Sequence, residues 1–182
     1  MINTPAAWSR RAETAATSWD AAGWSEAGQH DRLVKAIELL EPRPGELLLD
    51  FGCGDGALVD HLPAGVHYLG FDSAPGMVAR ARLLHDEHRF LDWEPAVTVD
   101  LVACVGPFNL ADHWSKQHTW ATLRRLWEHT RRRLVVMLYA GTVTQHCLVY
   151  GRDETRRHVG GLSHDVTVSH WRSNDIAAVV TR

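Results

Sequence analysis

The stretch Asp50-Phe51-Gly52-Cys53-Gly54-Asp55-Gly56 decides the fold prediction for this chain of 182 residues. The apolar run Leu47–Leu49 precedes it and predicts a short buried strand that ends at an acid. Three glycines at alternate positions let the backbone turn sharply and let a ligand approach it closely. An apolar segment over residues 57–62 follows, and free N–H groups at a helix start can face an anionic group. The stretch therefore predicts a strand, a ligand-binding turn and a helix.

The next segment repeats this order of strand, acid and helix. Residues 68–71 are mainly apolar and end at Asp72, Pro75 suits a first helical turn, and residues 77–84 are predicted to be helical. Two such units in succession imply parallel strands. At the end of the second strand, the Asp72 carboxylate can accept hydrogen bonds from ribose hydroxyls.

A third acid, Asp92, follows a short predicted strand over residues 88–90. Its carboxylate can accept a hydrogen bond from an adenine amino group, with Trp93 or Leu91 against the ring. Asp92 alone is equally consistent with a solvated turn residue, whereas three acids in series favour one nucleotide-like ligand. The G-x-G-x-G spacing differs from the G-x-G-x-x-G of dinucleotide sites, which favours a zwitterionic ligand over a pyrophosphate.

The rest of the chain continues the alternation of helices and strands. The predicted elements are a helix over 25–40, a strand over 99–105, a helix over 114–130, a strand over 134–139, and a hairpin of strands over 165–170 and 176–181. Residues 1–23 form a loose or helical arm in this prediction. The expected organisation is an amino-terminal arm and helix over 1–40, followed by one ligand-binding domain over 41–182.

Composition argues against several classes of partner. The formal net charge of −3 gives no whole-chain reason to expect a nucleic acid or an acidic membrane. No apolar run approaches the roughly 20 residues that span a bilayer, and residues 1–20 lack the apolar core of a signal peptide. The three cysteines lack the spacing of metal ligands and suit reduced thiols. We therefore expect a cytoplasmic protein without a metal, and the oligomeric state is left open.

The three acid-bearing segments together resemble the class I S-adenosylmethionine-dependent methyltransferases. The resemblance rests on residues 47–56, 70–77 and 90–93. It implies an α/β fold, a Rossmann-like three-layer α/β/α sandwich whose seven-stranded, mostly parallel sheet has the order 3-2-1-4-5-7-6 and an antiparallel last strand. The activity it implies is transfer of a methyl group from S-adenosylmethionine to an oxygen or nitrogen of a small-molecule acceptor.

The same resemblance implies a cofactor site. Gly52, Gly54 and Gly56 would hold the methionine portion, Asp50 would face its ammonium group, Asp72 the ribose and Asp92 the adenine. Ser73, Trp93 and Arg32 complete the expected set of cofactor-binding residues. A weaker likeness to small uncharacterised bacterial methyltransferases extends over Gly23–Ser25, Gln29 and Arg32, and over Gly106–Asn109.

Acceptor-side residues are predicted from their positions after strand ends or in the amino-terminal arm. His113 ranks first as a general base, and Asn109 is expected to face the transferred methyl group, with a structural role as the alternative for each. The residues expected to line the acceptor are Trp24, Phe108, Trp114 and Tyr150. The Gly106–Asn109 segment is similar to the [Asn/Asp]-Pro-Pro-[Tyr/Phe] loop of enzymes that methylate planar nitrogens. Here a glycine replaces the polar first residue and one proline is missing, which argues against nucleobase chemistry.

Three alternative functions stay open: methylation of RNA or protein, binding of S-adenosylmethionine without catalysis, and NAD-dependent oxidoreduction. Arg124, Arg125 and Arg131–Arg133 form a basic group that can face RNA or a protein, or can simply end a solvated helix. The chain can also bind S-adenosylmethionine without catalysis, or bind NAD as an oxidoreductase does. The glycine spacing favours S-adenosylmethionine over NAD.

Overall fold

A computed structural model describes residues 4–144 and 146–182. The strands within these ranges are β1 (Leu47–Phe51), β2 (His67–Phe71), β3 (Arg89–Leu91), β4 (Val99–Val105), β5 (Thr130–Tyr139), β6 (Asp165–Arg172) and β7 (Asp175–Thr181). They form one sheet of order β3-β2-β1-β4-β5-β7-β6. Strands β1 to β5 pair in parallel, and β7 is antiparallel to both β5 and β6. The predicted class I methyltransferase topology is confirmed.

Helices lie on both faces of this sheet. They are α1 (Pro5–Thr14), α2 (Ser18–Ala22), α3 (Glu26–Leu40), α4 (Pro75–Leu84), α5 (Lys116–Glu128) and α6 (Arg152–Val159). Two of them begin at a serine whose hydroxyl accepts a backbone N–H, Ser25 at α3 and Ser115 at α5. Among the described residues, no helix is both long and apolar enough to cross a membrane.

The central strands place alternate residues in two separate apolar cores. Leu48 and Leu101 share a buried cluster with residues of α3, whereas Leu49 and Val102 share one with residues of α5. Strands buried on both faces need nearly continuous apolar sequence, which is why the runs at 47–49 and 99–105 stand out. The result is a three-layer sandwich whose strands end at one common edge.

Two predicted helices differ in the structure. Residues 57–61 form one 3₁₀ turn, because Gly56 enters the segment with a φ of +85° and Pro63 closes it after a few residues. Helix α5 ends at Glu128, and Arg131–Arg133 belong to β5 instead of a helix end. Each of these arginines pairs with an acidic residue, Arg131 with Asp100, Arg132 with Glu46 and Arg133 with Glu41.

Helix α6 is absent from the sequence prediction. Its sequence, Arg-Asp-Glu-Thr-Arg-Arg-His-Val, contains a single large apolar residue. Thr155 and Val159 are its buried residues, four positions apart on one face. Tertiary packing on β6 and β7, rather than a visible apolar stripe, stabilises this helix.

Candidate functional site

A cleft of about 670 Å³ opens where β1, β2 and β4 end. Ligands of parallel α/β proteins bind at this edge, and the volume lies within the roughly 300–1,000 Å³ typical of small-molecule sites. One wall is the glycine-rich loop after β1, with Asp72 and Ser73 after β2. The opposite walls come from the segment after β4 and from helices α1 and α3.

The glycines of the loop have different roles. Gly52, Gly54 and Gly56 all have φ values in the left-handed region, at +80°, +56° and +85°. A Cβ on Gly52 would lie 2.5 Å from Cβ of Pro107, and one on Gly56 would lie 2.9 Å from the ring of Phe90. A Cβ on Gly54 would meet no atom within 4 Å. Packing therefore requires Gly52 and Gly56, and Gly54 is the glycine that faces open space.

This division corrects the prediction for Gly56. The cleft is lined by Gly52 and Gly54, and Gly56 is not part of its wall. Gly56 instead lets the loop pass against Phe90. Its contribution to a ligand site is indirect, since it shapes the loop that carries Gly54.

Asp50, at the end of β1, is a buried carboxyl group in the cleft wall, 4% exposed. Tyr68 of β2 donates its hydroxyl to Asp50 Oδ2 over 2.8 Å. Burial raises the pKa of Asp50 to about 7; the Tyr68 hydrogen bond opposes this rise and the charge of Asp72 adds to it. A cation bound beside Asp50 would favour the ionised carboxylate. The position is therefore suited to an ammonium group.

Asp72 directly follows β2, and its carboxylate contacts the glycine-rich loop. Its carboxylate accepts the N–H of Gly54 at 3.0 Å and the N–H of Ala74 at 2.8 Å. Burial raises its pKa, while these two hydrogen bonds lower it, as does the nearby His113 when its imidazole is protonated. Each carboxylate oxygen keeps a lone pair that can accept a ligand hydroxyl. Ser73, the next residue, is exposed in the cleft.

Asp92 and Trp93 lie outside the cleft wall. Both are exposed, Trp93 by 56%, because the short strand β3 ends with the buried side chain of Leu91 and the chain then turns towards solvent. Glu94, two residues further on, lines the cleft and pairs with Arg125 of α5. Contact of Asp92 and Trp93 with an adenine stays a prediction.

Trp24 and Arg32 form one wall of the cleft. The Trp24 ring packs on Gly106, where an added Cβ would lie 2.6 Å from ring atom Cζ2. The Arg32 guanidinium lies 5.1 Å from the centre of the Trp24 ring and donates to Asp175 of β7 at 2.9 Å. Arg32 thus lines the predicted site, and two contacts fix its guanidinium there.

Three further predicted residues, Asn109, His113 and Trp114, also line the cleft. Asn109 Oδ1 accepts the N–H of Tyr139 at 2.9 Å, which fixes the orientation of the amide. Burial lowers the pKa of His113, against the opposing charge of Asp72. The lowered pKa favours the neutral imidazole, which is the form that can act as a base.

Phe108 and Tyr150 are core residues, which corrects their assignment to the acceptor wall. Phe108 is 0% exposed and stacks 5.8 Å from Phe51, and Tyr150 is 1% exposed. The Tyr150 hydroxyl donates to the carbonyl of Phe108 and shares a hydrogen bond with Thr119, each at 2.9 Å. A position after a strand end fixes where the backbone lies and leaves the direction of the side chain open.

Sequence reasoning missed several cleft residues. Trp8 and Arg11 of α1 line the cleft, as do Tyr139 and Cys147. Trp8 and Arg11 are three positions apart and so share one helix face, a signal that the sequence does contain. Tyr139 and Cys147 reach the cleft through the spatial order of the folded chain, which the local sequence does not show.

Comparisons with known proteins agree with this geometry. No family model matches the chain. Trans-aconitate 2-methyltransferase of Escherichia fergusonii is 31% identical over 99 residues, which cover 48% of this chain and 38% of that protein. The match thus spans well under half the length of this relative.

Two solved structures are similar over nearly the whole chain. Magnesium protoporphyrin IX methyltransferase of Synechocystis PCC 6803 with bound S-adenosylmethionine has a TM-score of 0.71 and 17% identity, over 100% of this chain and 92% of that one. N-methyltransferase NodS of Bradyrhizobium japonicum WM9 with S-adenosyl-L-homocysteine has a TM-score of 0.70 and 13% identity, over 97% of each chain. The likeness establishes that the chain has the class I methyltransferase fold.

Proposed function

We propose that this chain is an S-adenosylmethionine-dependent methyltransferase that acts on an oxygen or nitrogen of a small-molecule acceptor. One observation carries the proposal: Asp50 and Asp72, at the ends of adjacent parallel strands, face one cleft together with the open backbone of Gly54. The fold supports it, since similar structures hold S-adenosylmethionine or S-adenosylhomocysteine.

The carboxylates beside the glycine-rich loop fit this cofactor better than NAD. S-adenosylmethionine carries an ammonium group that Asp50 can face, and Asp72 can accept its ribose hydroxyls. The pyrophosphate of NAD would bring negative charge next to the same carboxylates, which is unfavourable. When bound, S-adenosylmethionine supplies a methyl group activated by its sulfonium. Gly54 leaves the space in which the methionine portion would lie.

The residues of the chain then contribute binding, alignment and exclusion of water. Trp24 and Trp114 offer flat apolar walls for an acceptor, and Asn109 offers an oriented amide. A hydroxyl acceptor benefits from a base within hydrogen-bond reach, and the neutral His113 can accept that proton. An amine acceptor that is already neutral needs no such base.

The arginine group gives little support to an RNA or protein acceptor. Arg125 pairs with Glu94. On β5, Arg131 is 3.5 Å from Asp100, Arg132 is 2.6 Å from Glu46 and Arg133 is 3.0 Å from Glu41. Most of the positive charge of this group is thus paired within the chain. The names of two similar proteins, which specify trans-aconitate and magnesium protoporphyrin IX, also favour a small acceptor.

Calorimetry on the purified chain tests the cofactor, and mass spectrometry tests the transfer. We expect S-adenosylmethionine and S-adenosylhomocysteine to bind and NAD to give no heat. Incubation with S-adenosylmethionine and fractions of small cell metabolites should then yield S-adenosylhomocysteine and a product heavier by one methylene. NAD binding without S-adenosylhomocysteine binding would refute the proposal. Cofactor binding with no product in any fraction, including RNA and protein fractions, would refute the transferase activity.

A further inference from the structure

Helices α1 and α2 form an arm that lies against α4 and closes one side of the cleft. From this arm, Trp8 and Arg11 line the cleft. Helix α1 packs closely on the first turn of α4. The Gly76 N–H donates to Ser9 Oγ at 3.0 Å, and a Cβ on Gly76 would lie 2.6 Å from Cα of Ser9. The position of the arm therefore determines the shape of the cleft.

Apolar contact alone holds this arm weakly. Its buried apolar cluster consists of Ala12, Ala21, Ala74 and Met77, with Trp8 and Ala15 partly buried against it. Alanine side chains bury little apolar area, and hydrophobic stabilisation scales with that area. Polar contacts consequently account for a large share of what keeps the arm in place.

Besides the Gly76–Ser9 hydrogen bond, several of those polar contacts meet at Asp55 in the glycine-rich loop. The Asp55 carboxylate is buried, with Arg80 Nε of α4 at 3.0 Å from Oδ2 and Ser18 Oγ of α2 at 2.5 Å from Oδ1. Arg80 Nη1 also donates to the carbonyls of Ala15 at 2.9 Å and Ala12 at 3.3 Å, at the end of α1. One ion pair thus connects the loop, α4 and both helices of the arm.

We propose that Asp55 and Arg80 are positioning residues that latch the arm onto the glycine-rich loop and so set how long the cofactor stays bound. The inference rests on the proposed cofactor. Asp55 is adjacent to Gly54, whose backbone faces the cleft, so displacement of the latch moves both the loop and the wall formed by Trp8 and Arg11. Neither latch side chain needs to touch the ligand to have this effect.

The planar guanidinium of Arg80 reaches three acceptors at once, whereas a lysine ammonium at the same position is a single point on a flexible stem. Ser18→Ala removes one hydrogen bond from Asp55 and leaves the ion pair with Arg80 in place. Arg80→Lys therefore weakens the contacts that α4 makes with Asp55 and α1, and Ser18→Ala weakens the contact that α2 makes with Asp55. Thr14→Ala is the matched control, because the Thr14 hydroxyl is exposed and bonds only carbonyls within α1.

Two measurements on the full chain test the latch: the dissociation rate of S-adenosylhomocysteine by stopped flow, and hydrogen exchange of peptides covering residues 4–24. We expect Ser18→Ala and Arg80→Lys each to raise the dissociation rate roughly three- to tenfold, as for loss of one hydrogen bond. Exchange in the arm should rise while β1 and β4 keep their protection. Thr14→Ala should match the wild type in both measurements.

The outcomes separate the latch from the proposed cofactor. If the wild type binds S-adenosylhomocysteine and both variants keep its dissociation rate and arm exchange, the latch is refuted. If arm exchange rises in the variants but the dissociation rate does not, the arm is held as described and its control of cofactor release is refuted. If the wild type does not bind S-adenosylhomocysteine, the proposed function fails, and the exchange data alone decide whether Asp55 and Arg80 hold the arm.

Discussion

Replacement of Asp50 by asparagine should stabilise the ligand-free protein at pH 8 while weakening its binding of S-adenosylhomocysteine. Asparagine has the size of aspartate and keeps an oxygen that can accept the Tyr68 hydroxyl. It removes a carboxyl group whose ionisation is opposed first by burial. A buried carboxylate that needs a bound cation to be stable in its ionised form lowers the free energy of unfolding of the ligand-free chain.

The size of the effect follows from the pKa values of the two states. The pKa of Asp50 is about 7 in the folded chain, against 3.8 for an unperturbed aspartate. The folded chain therefore holds a proton that the unfolded chain releases, and the stabilisation from this proton is present below pH 4 and lost as the pH rises through 7. At about 1.4 kcal/mol per pH unit, ionised Asp50 costs on the order of 4 kcal/mol at pH 8.

Urea unfolding of wild type and Asp50→Asn at pH 8 and pH 4.5 measures this difference. We expect the variant to be more stable by about 1–4 kcal/mol at pH 8, with the gap narrowing at pH 4.5. Asp165→Asn, at an exposed position of β6, is the matched control and should show no such dependence. A variant less stable than the wild type by the same amount at both pH values would refute the reasoning, because Asp50 would then be ionised and stabilising.

Four further substitutions test the ligand side of the cleft. Asp72→Ala should weaken S-adenosylhomocysteine binding in calorimetry by about 1.5–3 kcal/mol, the range for charge-assisted hydrogen bonds, while Asp165→Ala leaves it unchanged. Gly54→Ala should lower the thermal unfolding temperature only by the backbone strain of its φ of +56° and should lose ligand affinity, whereas Gly52→Ala should lower that temperature further because its Cβ also meets Pro107; the reverse order would contradict the assigned roles. Asn109→Ala should keep cofactor affinity and lower turnover of the acceptor at least tenfold, about 1.4 kcal/mol; unchanged turnover would leave Asn109 only its hydrogen bond to Tyr139.

The sequence predicted the sheet because its signals are local and repeated. The central strands are built on short apolar runs, and an acid or a glycine lies at or directly after the end of each of three of them, at Asp50, Asp72 and Gly106. Parallel pairing and a common ligand edge then follow from general rules of α/β folds. Helix α6 was not predicted because its stability comes from packing on β6 and β7, which no local sequence pattern indicates.

Side-chain direction limited the prediction of the site. Phe108 and Asn109 are neighbours after β4, yet one is in the core and the other lines the cleft. The three glycines show the same limit, since one spacing pattern contains two positions that packing requires and one that faces the ligand space. A motif of this kind identifies a loop and its fold. The contacts with Pro107 and Phe90, which only the folded chain shows, distinguish the two glycines required by packing from Gly54, which faces the ligand space. The functional test of the motif therefore lies at Gly54, where a side chain can be added with no atom of the protein in its way.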